Sequence, residues 1–214
     1  MKSPKLSNAK LLEQCLCTLS LANYDFANIV GTTHIYSECG IQSYALQNVL
    51  NSKERHLILV KAHYSIGKSI QLSEELSDLK RLDSSLALVL ILSGRRSLAH
   101  GQKALFKGFE LYLDRNPESL HKLSASGYNA IILDEFKTIT QNFSGPTMGN
   151  KNTLCHDIYK SLLHSARLVI ALDAFLDSSS TVHLQDLTLI DAEKSTVHWN
   201  RYLRDKRNAR FYNT

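Results

Sequence analysis

The run HLILVKAHYSIGKS, His56 to Ser69, leaves this part of the chain few ways to fold. Its first half is leucine-rich and β-branched, which suits an extended strand. Its second half ends in Gly67-Lys68-Ser69, where glycine tolerates the tight backbone that must turn the chain into a following helix. Strand, loop and helix in that order place consecutive backbone N–H groups at a helix N-terminus, which is a seat for phosphate. In such a loop Lys68 is the residue that reaches the β/γ oxygens of a triphosphate, and the Ser69 hydroxyl is the one that holds Mg²⁺. The strict pattern GxxxxGK[ST] would require glycine where this chain has Ala62. The looser AxxGxGK[ST] is met by Ala62, Gly67, Lys68 and Ser69, with Ser65 in the place of the middle glycine and Ile66 after it. His63 and Tyr64 are bulkier than such a loop usually carries.

A second run, YNAIILDEF from Tyr128 to Phe136, is again a strand pattern, and it ends in two carboxylates. Asp134 is placed to bind Mg²⁺, and Glu135 to orient or deprotonate an attacking water. The two motifs stand in the order a nucleotide-hydrolysing domain needs. Each alone is weak, since Gly-Lys-Ser arises by chance and Asp-Glu at a strand end is also a common solvated turn.

Between and after these runs the pattern alternates strand and helix, which predicts parallel strands joined by crossover helices, an α/β fold. Strands are expected at His56–Lys61, Ser85–Ser93, Tyr128–Leu133 and Arg167–Phe175, with a last one near Ser195–Trp199. Continuous apolar runs such as SLALVLILS suit strands buried on both faces. Helices are expected from about Ser69 to Arg81 and from Leu98 to Leu113, the latter with Leu105, Phe109 and Tyr112 at helical spacing. Residues 1–50 have only weak periodicity, and NYDFANIVGTTHIYSECG reads as loop or short strands. Residues 142–152, with Pro146 among Gly and Asn, read as an exposed loop. This divides the chain into an N-terminal extension (1–50), an ATP-binding lobe (51–200) and a basic tail or linker (201–214).

With 214 residues, 43% of them hydrophobic, the chain suits one substantial domain, and no run reaches the ~18 apolar residues of a membrane span. No secretory leader is expected at the N-terminus, because Glu13 and Gln14 interrupt its apolar stretch. The four cysteines, Cys15, Cys17, Cys39 and Cys155, have no paired CxxC spacing. Buried free thiols in a reducing compartment, nucleus or cytoplasm, are expected rather than disulfides or a metal site. The net charge of +5 is compatible with a polyanionic partner. Arg201, Arg204, Lys206, Arg207 and Arg210 lie among Trp199, Tyr202, Phe211 and Tyr212, a mixture that can grip phosphates and stack on bases or can serve as a solvated linker. Ser93-Gly94-Arg95-Arg96-Ser97 places Arg95 and Arg96 at the carboxyl edge of the sheet, where ligands bind in open α/β folds.

The blocks SGRRSLAHG, ESLHKL (Glu118–Leu123), YNAIILDEF, QNFSGPTMGNKN and LVIALDAFL occur in an order that resembles the N-terminal motor domain of replication origin-binding proteins. These are superfamily 2 DNA helicases of herpesvirus type, and the resemblance covers roughly Leu57 to Phe175. It implies a RecA-like P-loop NTPase lobe, with a parallel sheet sandwiched by helices. ATP and Mg²⁺ would be its cofactors and DNA its partner, in the nucleus, the cytoplasm or a viral replication compartment. Lys68 and Ser69 would then serve ATP and Mg²⁺, and Asp134 and Glu135 hydrolysis. Arg95 and Arg96 would contact DNA, and Asp173-Ala174 would couple hydrolysis to DNA. Between Leu113 and Glu118 the chain is shorter than this fold, by a loop and a strand. It also carries no second lobe with an arginine-finger motif, so hydrolysis is expected to require a second lobe, and replication proteins are further candidate partners. Two other functions fit parts of the pattern. One is a non-hydrolysing DNA- or protein-binding remnant. The other is a small P-loop kinase, against which stands the shortage of arginines between Ser124 and Arg167, a stretch whose basic residues are Lys137, Lys151, Lys160 and Arg167.

Overall fold

The structure is a computed structural model and describes residues 29–37, 43–52, 54–63, 67–82, 88–94, 105–106, 120, 127–143 and 152–202. Six strands form one sheet: β1 (Thr32–Tyr36), β2 (His56–Ala62), β3 (Val89–Ser93), β4 (Ala130–Asp134), β5 (Leu168–Asp173) and β6 (Ser195–Asn200). Their order is β1-β6-β2-β5-β4-β3, and every pairing is parallel. Among the described residues there are five α-helices: α1 (Leu46–Asn51), α2 (Lys68–Leu82), α3 (Phe136–Phe143), α4 (Asn152–Ser165) and α5 (Ser178–Thr188). The fold is therefore α/β with an all-parallel sheet flanked by helices. No described helix is long and apolar enough to cross a membrane.

Alternation along the strands explains why both faces are covered. In β2, Leu57 and Leu59 enter one core while Ile58, Val60 and Ala62 enter the other. β4 and β5 divide in the same way, with Ile131, Leu133, Val169 and Ala171 on the first side and Ala130, Ile132, Leu168, Ile170 and Leu172 on the second. The first core is completed by Phe136, Ile139 and Phe143 of α3, by Tyr159, Leu162 and Leu163 of α4, and by Leu184 and Leu187 of α5. The second is completed by Leu72, Leu76 and Leu79 of α2, together with Tyr44, Leu46 and Phe106. Each fully buried Leu, Ile or Val here contributes roughly 1.5–3 kcal/mol relative to exposure. The central strands thus carry buried side chains into both cores.

The expected strands are found with shifted ends. β2 runs one residue further, to Ala62, β6 one further, to Asn200, and β4 begins at Ala130 rather than Tyr128. β5 is shorter than expected, and β3 starts at Val89, with 85–87 outside the described residues. β3 pairs directly with β4, from Val89↔Ala130 to Ser93↔Asp134, so no strand lies between them. Of the expected helix over Leu98–Leu113 only 105 and 106 are described, and it is Phe106, not Leu105, that is buried. Asn142 and Phe143 belong to α3, and Asn152 opens α4; the rest of the expected loop lies outside the described residues. β1 and all but the last residue of α1 fall inside the segment read as an extension, and β1 pairs with β6 over Thr32↔Thr196 to Tyr36↔Asn200. Cys155 is a buried free thiol; the other three cysteines lie outside the described residues.

Candidate functional site

The ends of β2, β5 and β4, adjacent in the sheet, bring the candidate residues to one edge. β2 ends at the buried Ala62, Gly67 sits at φ +85°, and Lys68 begins α2. A left-handed φ at Gly67 is one that side chains adopt at a cost, so glycine here serves the turn directly. The Lys68 ammonium donates to the carbonyl oxygens of Ala62 at 2.6 Å and His63 at 3.3 Å. Burial lowers the Lys68 pKa, while the charges of Asp134, Asp173 and Glu135 act to raise it. Those three carboxylates set the electrostatic surroundings of the lysine. Ser69 is half-buried in the first turn of α2.

Asp134 closes β4 and is buried, with 8% of its surface exposed. Burial, with smaller contributions from Glu135 and Asp173, raises its pKa to about 6, while Lys68 acts in the other direction. A carboxylate so desolvated gains by meeting a cation. No group of three or more His, Cys, Asp or Glu able to hold a metal exists among the described residues. Mg²⁺ does not require such a cage, since it commonly takes one or two protein oxygens plus phosphates and water. Ser69 and Asp134 fit that donor set.

Glu135 follows in the left-handed region, φ +57°, an uncommon conformation for a residue with a side chain. Its N–H donates to Leu172 O at 2.9 Å, and its carboxylate accepts a long 3.4 Å bond from the Thr138 hydroxyl. Asp173 accepts from two backbone amides, Lys137 N and Phe175 N, each at 2.8 Å, and so ties the end of β5 to the start of α3. Ala174 lies half-buried in the turn that follows. Ser65, Ile66, Arg95 and Arg96 lie outside the described residues.

Several residues at this edge are not singled out by sequence motifs. Tyr44 donates its hydroxyl to Lys68 O at 3.0 Å, and its N–H meets Glu75 Oε1 at 2.6 Å, so the segment before β2 braces the first turns of α2. Nothing local in the sequence points to this contact. Lys137 pairs with Asp177 at 2.6 Å, and Asp177 caps α5 by accepting from the N–H and hydroxyl of Ser180. The run Asp177-Ser178-Ser179-Ser180 is a readable helix start. Trp199 is flanked by two cations, Lys61 Nζ at 4.8 Å and Arg201 at 4.4 Å from its ring centre. Of the basic tail, 203–214 lie outside the described residues.

Burial pushes the Asp177 carboxyl up, but its bonds from Lys137 and Ser180 outweigh this and bring it to about 2. Its contribution to stability is therefore present above the ordinary carboxylate pKa and is lost as pH falls toward 2. Asp177→Ala removes the cap and is expected to cost about 1–2 kcal/mol, a fall in Tm of roughly 2–8 °C. Thermal unfolding at neutral pH checks this, and an unchanged Tm would dismiss the cap as a stabilising element.

A family model described as origin of replication binding protein matches residues 7–190. The chain belongs to the origin of replication binding protein family. None of the curated proteins matches it. The matched span contains β1 to β5 and α1 to α5, together with every candidate residue from Ala62 to Ala174.

Proposed function

We propose that this member of the origin-binding family is a RecA-like nucleotide-binding lobe of a DNA helicase, which binds Mg·ATP at the β2–α2 loop and DNA at the same edge of the sheet. One observation carries this assignment. Lys68, Asp134 and Asp173 come from three distant stretches of sequence, yet they converge at the ends of neighbouring parallel strands, with the lysine in the field of the carboxylates. Lys68 and the backbone amides that open α2 would bind the phosphates, Ser69 and Asp134 would hold Mg²⁺, and Glu135 would orient water. Mg²⁺ would supply charge neutralisation at the β/γ oxygens. The membership in an origin-binding family supports DNA as the partner, with Arg95, Arg96 and the basic residues around Trp199 as contacts. Asp173 would link the nucleotide site to that DNA, because it spans the end of β5 and the start of α3. Hydrolysis would call for charge compensation from a second lobe or a replication protein, in an intracellular setting.

One observation favours a second function, a non-hydrolysing DNA- or protein-binding module. The Lys68 ammonium already bonds the carbonyls of Ala62 and His63, and a triphosphate must compete with them. Calorimetry of Mg·ATP binding separates the two. Saturable binding by the wild type, weakened by about 3 kcal/mol or roughly a hundredfold in Lys68→Ala, is the expected result. Absence of binding by both proteins, with DNA binding retained, would replace the ATP assignment with the module.

A further inference from the structure

Gly94, the residue that follows β3, is seated on α3 in a way that the nucleotide motifs do not explain. Gly94 N donates to Asp134 O at 3.3 Å, on the side of β4 away from β5. The Gly94 carbonyl in turn accepts from Asn142 Nδ2 at 3.1 Å. Thr138 and Asn142 lie four residues apart and so share one face of α3. A Cβ added at Gly94 would stand 2.6 Å from both Cβ and Cγ2 of Thr138, and 3.3 Å from Ile139 N. Only glycine allows this approach without α3 or the end of β3 moving. The same Thr138 turns its hydroxyl toward Glu135.

These contacts close a ring: from Asp134 through the strained Glu135 into α3, from Thr138 and Asn142 across to Gly94, and from Gly94 N back to Asp134 O. A residue held at positive φ at a strand end needs its neighbours to fix it. On the β5 side that support is Leu172 O; on the β3 side it is Gly94.

We propose that Thr138 and Asn142 are positioning residues for the Mg²⁺ site: by clamping Gly94 against the end of β4, they fix where the Asp134 and Glu135 carboxylates point. The proposal rests on the Mg·ATP assignment above. Residues that support a metal ligand from behind typically alter metal affinity by about 10–100-fold.

The test measures ATP binding by calorimetry twice, with Mg²⁺ and with excess chelator, for the wild type, Asn142→Ala, Thr138→Ser and Gly94→Ala. The ratio of the two affinities isolates what the metal adds. Wild type is expected to bind more tightly with Mg²⁺. Asn142→Ala, which removes the donor to Gly94, is expected to reduce that gain about tenfold or more, with metal-free affinity and Tm close to wild type. Thr138→Ser keeps the hydroxyl and loses the methyl that packs on Gly94, so an intermediate reduction is expected. Gly94→Ala should match or exceed Asn142→Ala; if it does not fold, the two helix variants decide. An unchanged Mg²⁺ gain in both helix variants overturns the proposal. So does an equal loss of both affinities with a lowered Tm, which would make the contacts merely structural. A wild type that binds ATP with no Mg²⁺ gain also overturns it. No ATP binding by the wild type under either condition removes the assignment beneath it.

Discussion

Arg55→Ala is expected to lower Tm by roughly 6–12 °C, the equivalent of about 3 kcal/mol in a chain of this size. Arg55 immediately precedes β2, and its guanidinium donates to three carbonyls: Ala166 O at 3.1 Å, Leu163 O at 2.9 Å and Thr188 O at 2.7 Å. Leu163 and Ala166 mark the end of α4, and Thr188 the end of α5. The last four carbonyls of a helix have no partner within it, and each helix end carries partial negative charge. One arginine thus meets carbonyls at two helix termini and binds both to the start of β2. α5 ends with Leu189 at φ +53°, so no glycine cap shares the task there. Arg55→Lys keeps the charge but not the planar fork, and about half the loss is expected. Unfolding midpoints for the three proteins check this. An alanine variant within about 2 °C of wild type would mean that water replaces the guanidinium at no cost.

The second large effect is a loss of stability in acid that originates at His198. This residue lies in β6, 2% exposed, with Tyr36 Oη 2.8 Å from Nδ1. The rings of His34 and Tyr36 stack near it and Tyr44 meets it edge-on, while Nε2 is buried with no hydrogen-bond partner. Burial first, and the neighbouring His34 second, lower its pKa to about 4. The unfolded chain takes up this proton near pH 6.5, so stability is full above that value and declines as pH falls toward 4. The whole effect is about 3 kcal/mol. Asp134 works in the opposite direction, because its raised pKa favours the folded state as pH falls through 6. The measurement is therefore a comparison. Between pH 7 and pH 4 the wild type should lose roughly 6–12 °C more in Tm than His198→Phe. Parallel profiles for the two proteins would show that the imidazole takes its proton in the folded state at no cost.

The strands were legible in the sequence because they are buried on both faces. A run such as Leu57–Val60 or Leu168–Leu172 has no polar residue to interrupt it, and its ends vary by only a residue or two. β1 was not so clear, because His34 and Ile35 are exposed and, among the described residues, the strand is paired on its β6 side alone. α3 and α5 carry short apolar faces among polar residues. In α5 the buried positions include Ser180, Thr181 and Thr188, which no hydrophobic period can reveal. At the site, Lys68 and Asp134 stood out in the sequence because each closes a strand-then-motif run, and the fold brings them to one edge of the sheet. Tyr44 on Lys68, Asn142 on Gly94 and Arg55 on two helix ends were not. They are contacts between stretches far apart in sequence, made by ordinary residues whose role comes from where the fold carries them.

The order of the strands has a consequence for the birth of the protein. β2 lies between β5 and β6, so both of its hydrogen-bonding neighbours come from residues 168–200. On the ribosome, β2 therefore emerges more than a hundred residues before either partner, with two open edges of leucine, isoleucine and valine. Unpaired apolar strand edges are templates for association with other chains. Until residues 168–200 have been made, this segment has neither of its partners in the sheet and both edges stay open to other chains.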